Sequence, residues 1–286
     1  MAIRKLFRNL LFIGIMKYLI RHGFIFRFVC DGELIGKFFS VIDLIYRDGE
    51  FLLRMPDGIL LTIDSLDPVI IAETWLYDIH FLGFDLSDWF VLDIGAFVGD
   101  TALYYAKRGA FVVAVEPSPS NYETMLRNLD LNPELKPRIV PVNAAVGGVD
   151  GFVELRYKAA VDSNASAHGT GWFVAKVRSV RLSTLIKELE DIVGIDMGRF
   201  RVRVLKVDCK GCEYELVNDS SLKLFDIVKI EYSGHLINKT YHELMGRLEE
   251  LGFRCRVWAH IEFAIKRGLD RFGTMTCIKR DGVVIR

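Results

Sequence analysis

The 286-residue chain contains no glutamine at all, although it is rich in charge, with 37 lysine and arginine residues and 37 aspartate and glutamate residues. A scarcity of thermolabile amides combined with many charged residues is typical of proteins from heat-loving organisms. Asparagine, however, is present at eight positions. We therefore predict a thermophilic source from the missing glutamine and the charge content together.

The chain also lacks an excess of charge of either sign, since its formal net charge at pH 7 is zero. Domains that bind DNA or RNA usually have a surplus of lysine and arginine over the whole domain. We therefore expect no nucleic-acid partner.

Long apolar runs are missing as well. In the aromatic and basic segment 1–28, the longest uncharged run is 9–16, whereas roughly 20 apolar residues are needed to cross a bilayer. Lys17 and Tyr18 follow that run, where a signal peptide would have small residues. The segment fits either a basic amphipathic helix on a membrane surface or a helix packed on the domain or on a second subunit of a homo-oligomer. We expect the second arrangement in a cytoplasmic protein, and peripheral membrane contact is the alternative.

Cysteine is scarce, with five residues, which is too few for a secreted disulfide scaffold. Cys209 and Cys212 form a Cys-x-x-Cys pair, but a zinc site needs four ligands and no second pair has matching spacing. We therefore expect no metal, and we interpret the pair as two small residues around a tight turn. A disulfide between them stays open, because intracellular proteins of hyperthermophiles can carry such bonds.

The most informative motif is the stretch 90–100, in which an apolar strand leads into a turn with Gly95 and Gly99 and then into a helix. A second apolar strand, 111–115, ends at Glu116 and Pro117, which completes a βαβ unit. Glycine allows the backbone to approach a ligand closely, and a carboxylate at the end of the second strand can bind both ribose hydroxyls. Because the spacing is Asp93-x-Gly95-x-x-x-Gly99 rather than that of the dinucleotide fingerprint, we predict an adenosine-like ligand other than NAD.

From residue 89 onward, strands and helices alternate, which predicts an α/β fold of the Rossmann-like type with helices on both faces of a mostly parallel sheet. Seven strands are predicted, at 90–94, 111–115, 138–142, 202–207, 226–231, 254–259 and 274–279. We therefore divide the chain into an amino-terminal helix with a β-rich extension (1–88) and one larger domain (89–286). In the extension, Pro56-Asp57-Gly58 predicts a hairpin, and 68–81 is predicted to be helical.

An insertion between 147 and 181 contains one predicted strand, 152–157, and a polar loop, 162–171. This loop is long enough to be an active-site lid. Within it, His168 is a candidate for substrate contact together with Trp172.

Polar or small residues follow the later strands at the edge where ligands bind in open α/β sheets. Asn143 and Ala144 leave room for an adenine ring, and Asp208 is a candidate base or hydroxyl-orienting group. Glu231 and His235 follow the next strand, and a histidine there is suited to moving protons near neutrality. Glu213 is equally well explained as a helix-start charge.

Taken together, residues 92–100, 115–117, 143–147, 182–185 and 205–213 resemble the FkbM family of methyltransferases, over about residues 70–280. The resemblance implies the class I methyltransferase fold, with seven strands of which the last is antiparallel. It implies S-adenosylmethionine as cofactor and O-methylation of a sugar, glycan or other small molecule. The implied cofactor-binding residues are Asp93, Gly95, Ala96, Gly99, Asp100, Glu116, Pro117, Asn143 and Ala144.

On this hypothesis, a substrate oxygen attacks the sulfonium methyl, and the catalytic base is Asp208, Glu231 or His235. The chain departs from the family at Lys210, where the typical Asp-Val-Glu-Gly motif has an acidic residue. Two alternatives follow. One is a non-catalytic binding or scaffold protein, and the other is a membrane-surface enzyme that methylates a lipid-linked acceptor.

Overall fold

The computed structural model describes residues 43–76, 84–159, 161–259 and 270–280. The amino-terminal helix expected in 1–28 lies outside these residues, as does the end of the helix predicted over 68–81. The described part of that helix comprises α1 (Pro68–Ile71) and a π-helical turn, Ala72–Leu76. Among the described residues, no helix combines the length and apolar character that crossing a bilayer demands.

The amino-terminal extension forms a small antiparallel sheet in the order β1-β2-β3, made of β1 (Asp43–Arg47), β2 (Glu50–Arg54) and β3 (Leu60–Thr62). The hairpin predicted at Pro56-Asp57-Gly58 joins β2 and β3, with Leu53 opposite Leu61. Gly58 has a φ of +88°, a conformation that glycine adopts without strain. The sequence-based prediction of this turn is confirmed.

The described residues from 84 onward form ten further strands and five helices. The strands are β4 (Trp89–Ile94), β5 (Phe111–Val115), β6 (Ile139–Val142), β7 (Ala145–Val146), β8 (Gly151–Tyr157), β9 (Phe173–Val180), β10 (Val202–Val207), β11 (Ile227–Tyr232), β12 (Phe253–Ala259) and β13 (Gly273–Lys279). The helices are α2 (Asp100–Lys107), α3 (Pro119–Leu131), α4 (Leu182–Asp191), α5 (Glu213–Leu216) and α6 (Tyr241–Glu250).

The central sheet has seven strands in the order β12-β13-β11-β10-β4-β5-β6. All neighbours between β11 and β6 are parallel, whereas β13 runs antiparallel to both β11 and β12. All seven predicted strands are present, and the antiparallel last strand confirms what the resemblance implies. The fold is a Rossmann-like α/β fold with a mostly parallel sheet.

The register of the sheet brings three strand ends together. Ile94 lies between Val115 and Val207 on the two neighbouring strands. The next residues along the chain are Gly95, Glu116 and Asp208, so these three follow one another across the edge of the sheet. Parallel pairing places them at the carboxyl edge, where open α/β sheets bind ligands.

Apolar cores cover both faces of the central sheet. Strands such as β4 are therefore buried along their whole length. One core also contains Leu53 and Ile59 of the extension, together with Val91 and Val112 of the central sheet. The apolar core is therefore continuous across the boundary predicted at residue 88.

Asn128 on α3 fastens the extension to the loop after β4. Its Oδ1 accepts a hydrogen bond from the Thr62 amide (2.8 Å), and its Nδ2 donates to Ser65 Oγ and to the Val98 carbonyl (both 2.8 Å). The side chain is fully buried. The side chain of Asn128 thus gives hydrogen-bond partners to the Thr62 amide and the Val98 carbonyl.

The insertion forms a third sheet, in the order β7-β9-β8. Its β9 was not expected from the sequence. Phe173 and Val174 at its start are both exposed, whereas buried residues alternate only in its second half, at Val177 and Ser179. The period-2 signal of a strand is therefore incomplete.

Two disulfides are present among the described residues. Cys209 and Cys212 are bonded, with Cα atoms 5.5 Å apart, which we call the cavity disulfide because both residues line the cavity described below. Cys255 and Cys277 are bonded across β12 and β13, which we call the sheet disulfide. Our interpretation of Cys209 and Cys212 as two small turn residues is wrong, because the turn brings their side chains within bonding reach.

Candidate active site

A cavity of about 1010 Å³ opens over the carboxyl edge of the central sheet. Its lining combines the strand-end residues Gly95, Glu116, Asp208 and Glu231 with the loop 162–170. The loop expected to be a lid therefore lies over the strand ends. A cavity of this size is large enough for a cofactor and a substrate together.

Gly95 and Gly99 both have positive φ, +79° and +77°. A Cβ at Gly95 would overlap the carbonyl oxygen of Asp208, and one at Gly99 would lie 2.7 Å from Met125 Cγ. The sequence suggested ligand contact as the reason for glycine at these positions. The structure shows that neighbouring protein atoms already require it, and of the two only Gly95 is among the residues lining the large cavity.

Asp93 lies beneath the glycine loop and is fully buried. Its carboxylate accepts hydrogen bonds from Thr101 Oγ1 and from Lys206 Nζ, both at 2.7 Å. Burial opposes the charge of Lys206, but the neighbouring Asp93 and Asp208 carboxylates raise its pKa. Asp93 is not among the cavity-lining residues, so the structure gives it the role of a brace for the loop.

Ala96 and Asp100 line a separate cavity of about 70 Å³ behind the loop. The amide of Ala96 donates to the Val115 carbonyl at 3.0 Å. Asp100 is almost completely buried, and burial raises its pKa to about 7. Both residues therefore lie behind the large cavity.

Glu116 lines the cavity and is only 4% exposed. One oxygen accepts from the Phe97 amide (3.0 Å), and the other accepts from the Ser118 amide (2.9 Å) and from Asn121 Nδ2 (3.2 Å). Burial raises its pKa to about 7, although these hydrogen bonds act in the opposite direction. The carboxylate is thus fixed in orientation.

The predicted adenine-side residues fall in different places. Pro117 and Ala144 line the cavity. Asn143 is exposed and is not among the lining residues, because its Nδ2 donates to the carbonyls of Glu116 (2.8 Å) and Pro117 (3.3 Å). Its side chain therefore supports the turn after β5.

Asp208 and Glu231 meet at one lysine. Lys210 Nζ lies 2.9 Å from Asp208 Oδ1 and 3.3 Å from Glu231 Oε1. Burial acts to raise the pKa of Asp208, but the charges of Lys210 and Lys206 lower it below its ordinary value. Burial and the charge of Asp208 together raise the pKa of Glu231. The two candidate bases therefore differ in proton affinity.

The third candidate base, His235, also lines the cavity. Its ring meets Phe272 edge-on, with centroids 5.5 Å apart. Glu213, which the sequence left undecided, is fully buried and accepts from the amides of Gly211 and Ser233, both at 2.7 Å. It ties the loops after β10 and β11 together rather than facing the cavity.

The covering loop, 162–170, is held by polar contacts at its start and in its middle. Asn121 Nδ2 donates to the Asp162 carbonyl (3.0 Å), and Ser166 Oγ donates to the Lys210 carbonyl (2.8 Å). His168 packs so close to Gly211 that a Cβ there would lie 2.5 Å from its ring. Trp172, expected beside His168, is 83% exposed and is not among the lining residues.

Sequence reasoning missed the roles of Asn121, Lys206 and Lys210. A lysine at the penultimate position of strand β10 and an asparagine in the first turn of α3 were the available signals. Lys210 stood out only as a departure from the family motif. Among the described residues, no group of three or more His, Cys, Asp or Glu side chains is arranged to hold a metal ion.

The fold and the carboxyl-edge cavity define a Rossmann-like α/β protein with a ligand-sized cavity at its strand ends. A model of the methyltransferase FkbM domain matches residues 93–255, which is more than half of the chain. The protein therefore belongs to the FkbM methyltransferase family, as its motifs indicate.

Three solved structures illustrate how far the likeness extends. FkbM methyltransferase from Methylobacillus flagellatus is 14% identical with a TM-score of 0.42, over 68% of this chain and 45% of that one. Precorrin-6y C5,15-methyltransferase from Geobacter metallireducens is 12% identical with a TM-score of 0.40, over 78% of this chain and 95% of that one. The O-methyltransferase from Bacillus cereus in complex with SAH is 11% identical with a TM-score of 0.36, over 67% of this chain and 74% of that one. The chain thus spans less than half the length of the FkbM protein, and a search of curated proteins gives no match.

Proposed function

We propose that the protein is an S-adenosylmethionine-dependent methyltransferase that methylates a hydroxyl oxygen of a sugar, a glycan or another small molecule. The observation that carries the proposal is the row of Gly95, Glu116 and Asp208 at three adjacent strand ends, all lining one cavity of about 1010 Å³. Family membership supports methyl transfer, and the complexes of related folds with SAH support the cofactor.

The residues present fit this cofactor. Glu116 offers an oriented carboxylate for ribose hydroxyls, and the small side chain of Ala144 leaves space beside it for a flat ring. When bound, S-adenosylmethionine supplies a methyl group on a positively charged sulfur. The protein then has to align the acceptor and exclude water, and the covering loop suits the second task.

On the acceptor side, Asp208, Glu231 and His235 are the groups that can take the hydroxyl proton. Asp208 is held ionised by Lys210, whereas Glu231 has the raised pKa of a stronger base. Removal of the proton by a positioned base contributes about 10²- to 10⁴-fold to the rate.

Isothermal titration calorimetry with S-adenosylmethionine and with NAD tests the cofactor. We expect binding of the former only, and binding of NAD alone would overturn the proposal. Transfer of labelled methyl from S-adenosylmethionine to fractionated glycan and metabolite extracts tests the reaction. A base-stable labelled product is expected for an ether, whereas a base-labile one indicates a carboxyl ester and contradicts O-methylation of a hydroxyl.

A second candidate is a binding protein that has the fold but no turnover. The contact of Lys210 with both carboxylates favours this candidate, because Asp208 and Glu231 each have one oxygen engaged by the lysine and not by an acceptor hydroxyl. It requires S-adenosylmethionine binding without any labelled product in those extracts. A product with the wild type that disappears with Glu116→Ala would exclude it.

A further inference from the structure

Lys210 lies at the centre of the acceptor side of the cavity. Its side chain is 17% exposed, and its ammonium contacts one oxygen of each carboxylate, Asp208 Oδ1 and Glu231 Oε1. A carboxylate has a second oxygen with which it can accept a hydrogen bond from an acceptor hydroxyl. The lysine therefore fixes one oxygen of each candidate base, and the other oxygen of each can accept a hydrogen bond from the acceptor hydroxyl.

The backbone around Lys210 is built to hold it there. Its φ is +53°, which is unfavourable for a residue with a Cβ. The cavity disulfide flanks it on both sides, and Ser166 Oγ of the covering loop binds its carbonyl at 2.8 Å. Strained backbone that neighbouring contacts fix in place is typical of functional sites.

The charges around this pair come from several elements. Lys206 on β10 lowers the pKa of Asp208 together with Lys210. The charge of Asp208 in turn acts to raise the pKa of Glu116 after β5 and of Glu213 at the start of α5. Asp93 engages the ammonium of Lys206 at 2.7 Å. Lys210 is in direct contact with both acceptor-side carboxylates.

We propose that Lys210 is a positioning residue, whose ammonium keeps Asp208 ionised and oriented toward the acceptor hydroxyl and holds Glu231 beside it. This role rests on the proposed function, because it concerns the acceptor half of the same cavity. It assigns a purpose to the residue at which this chain departs from the family motif. No bond to Lys210 is made or broken in this role.

The test is an NMR titration of the Asp208 carboxyl carbon, in protein labelled with ¹³C at aspartate Cγ and without cofactor. Asp208→Asn assigns the signal. With Lys210→Met we expect the pKa of Asp208 to rise by about one unit or more, a tenfold change in proton affinity. Lys210→Arg should restore it, since the charge returns.

Lys210→Gln separates charge from hydrogen bonding, and it also serves if the methionine variant fails to fold. A pKa for Asp208 raised as in Lys210→Met supports the proposal. A value equal to that of the wild type overturns it.

Lys158→Met is the matched control, because Lys158 also lines the cavity but is not among the ion-pair partners of Asp208 or Glu231. We expect no change in the pKa of Asp208 in this variant. A shift as large as that in Lys210→Met would overturn the specific role of Lys210.

Calorimetry with S-adenosylhomocysteine keeps the two proposals distinguishable. Binding within about threefold of the wild type is expected for Lys210→Met, since the cofactor half of the cavity is formed around Glu116. If the wild type does not bind it, the proposed function fails, while the titration still decides whether Lys210 sets the ionisation of Asp208.

Discussion

The proton affinity of Glu116 gives the sharpest prediction about the cofactor half of the cavity. Burial raises the pKa of this carboxyl to about 7 in the folded protein. Only the ionised form accepts hydrogen bonds from both ribose hydroxyls. With a pKa of about 7, about a tenth of the protein has the ionised form at pH 6 and about nine tenths at pH 8.

We therefore expect the affinity for S-adenosylhomocysteine to rise about tenfold, or about 1.4 kcal/mol, between pH 6 and pH 8. Calorimetry on the wild type and on Glu116→Gln measures this. The ratio of the two affinities matters, because ionisation of the ligand and of Asp100 and Glu213, whose pKa values also lie near 7, affects both proteins. A ratio that is the same at both pH values would refute the reasoning.

The same shift has a consequence for stability. The folded protein binds the proton of Glu116 more tightly than the unfolded chain, whose pKa is near 4.5. This stabilisation is fully present below pH 4.5 and is lost as the pH rises through about 7. In Glu116→Gln the free energy of unfolding should fall less between pH 5 and pH 8 than in the wild type.

Three further predictions concern the framework of the site. Gly95→Ala should lower the free energy of unfolding by clearly more than the roughly 1 kcal/mol expected for Gly58→Ala. Both glycines have positive φ, but only at Gly95 would a Cβ overlap a backbone carbonyl. Equal losses of stability in urea denaturation would contradict this prediction. Asn128→Ala should cost about 2–4 kcal/mol because it leaves buried hydrogen-bonding groups unpaired, and a loss below about 1 kcal/mol would count against it. Under dithiothreitol the cavity disulfide should open before the sheet disulfide, which is reached less easily; alkylation and mass spectrometry give the order, and the reverse order would show that the cavity does not admit the reagent.

Much of the fold could be predicted from local patterns. Runs such as Phe111–Val115 are continuously apolar because central parallel strands are buried on both faces. The alternation of strands and helices then gave the layered arrangement, and the strand ends gave Gly95, Glu116 and Asp208. Strand β9 escaped prediction because its first half is mostly exposed to solvent, although it is the central strand of the third sheet.

The amino-acid sequence by itself determined the strand-turn-helix units, the hairpin of the extension and the membership in the FkbM family, since these depend on neighbouring residues. Only the tertiary structure decided that Asp93 is tied to Lys206, 113 residues away, and that Lys210 bridges Asp208 and Glu231. The tertiary structure also showed that Gly95 and Gly99 are required by the neighbouring atoms of Asp208 and Met125, whereas the sequence had suggested contact with a ligand. Such contacts depend on which strands become neighbours, and that order is set by packing the whole chain.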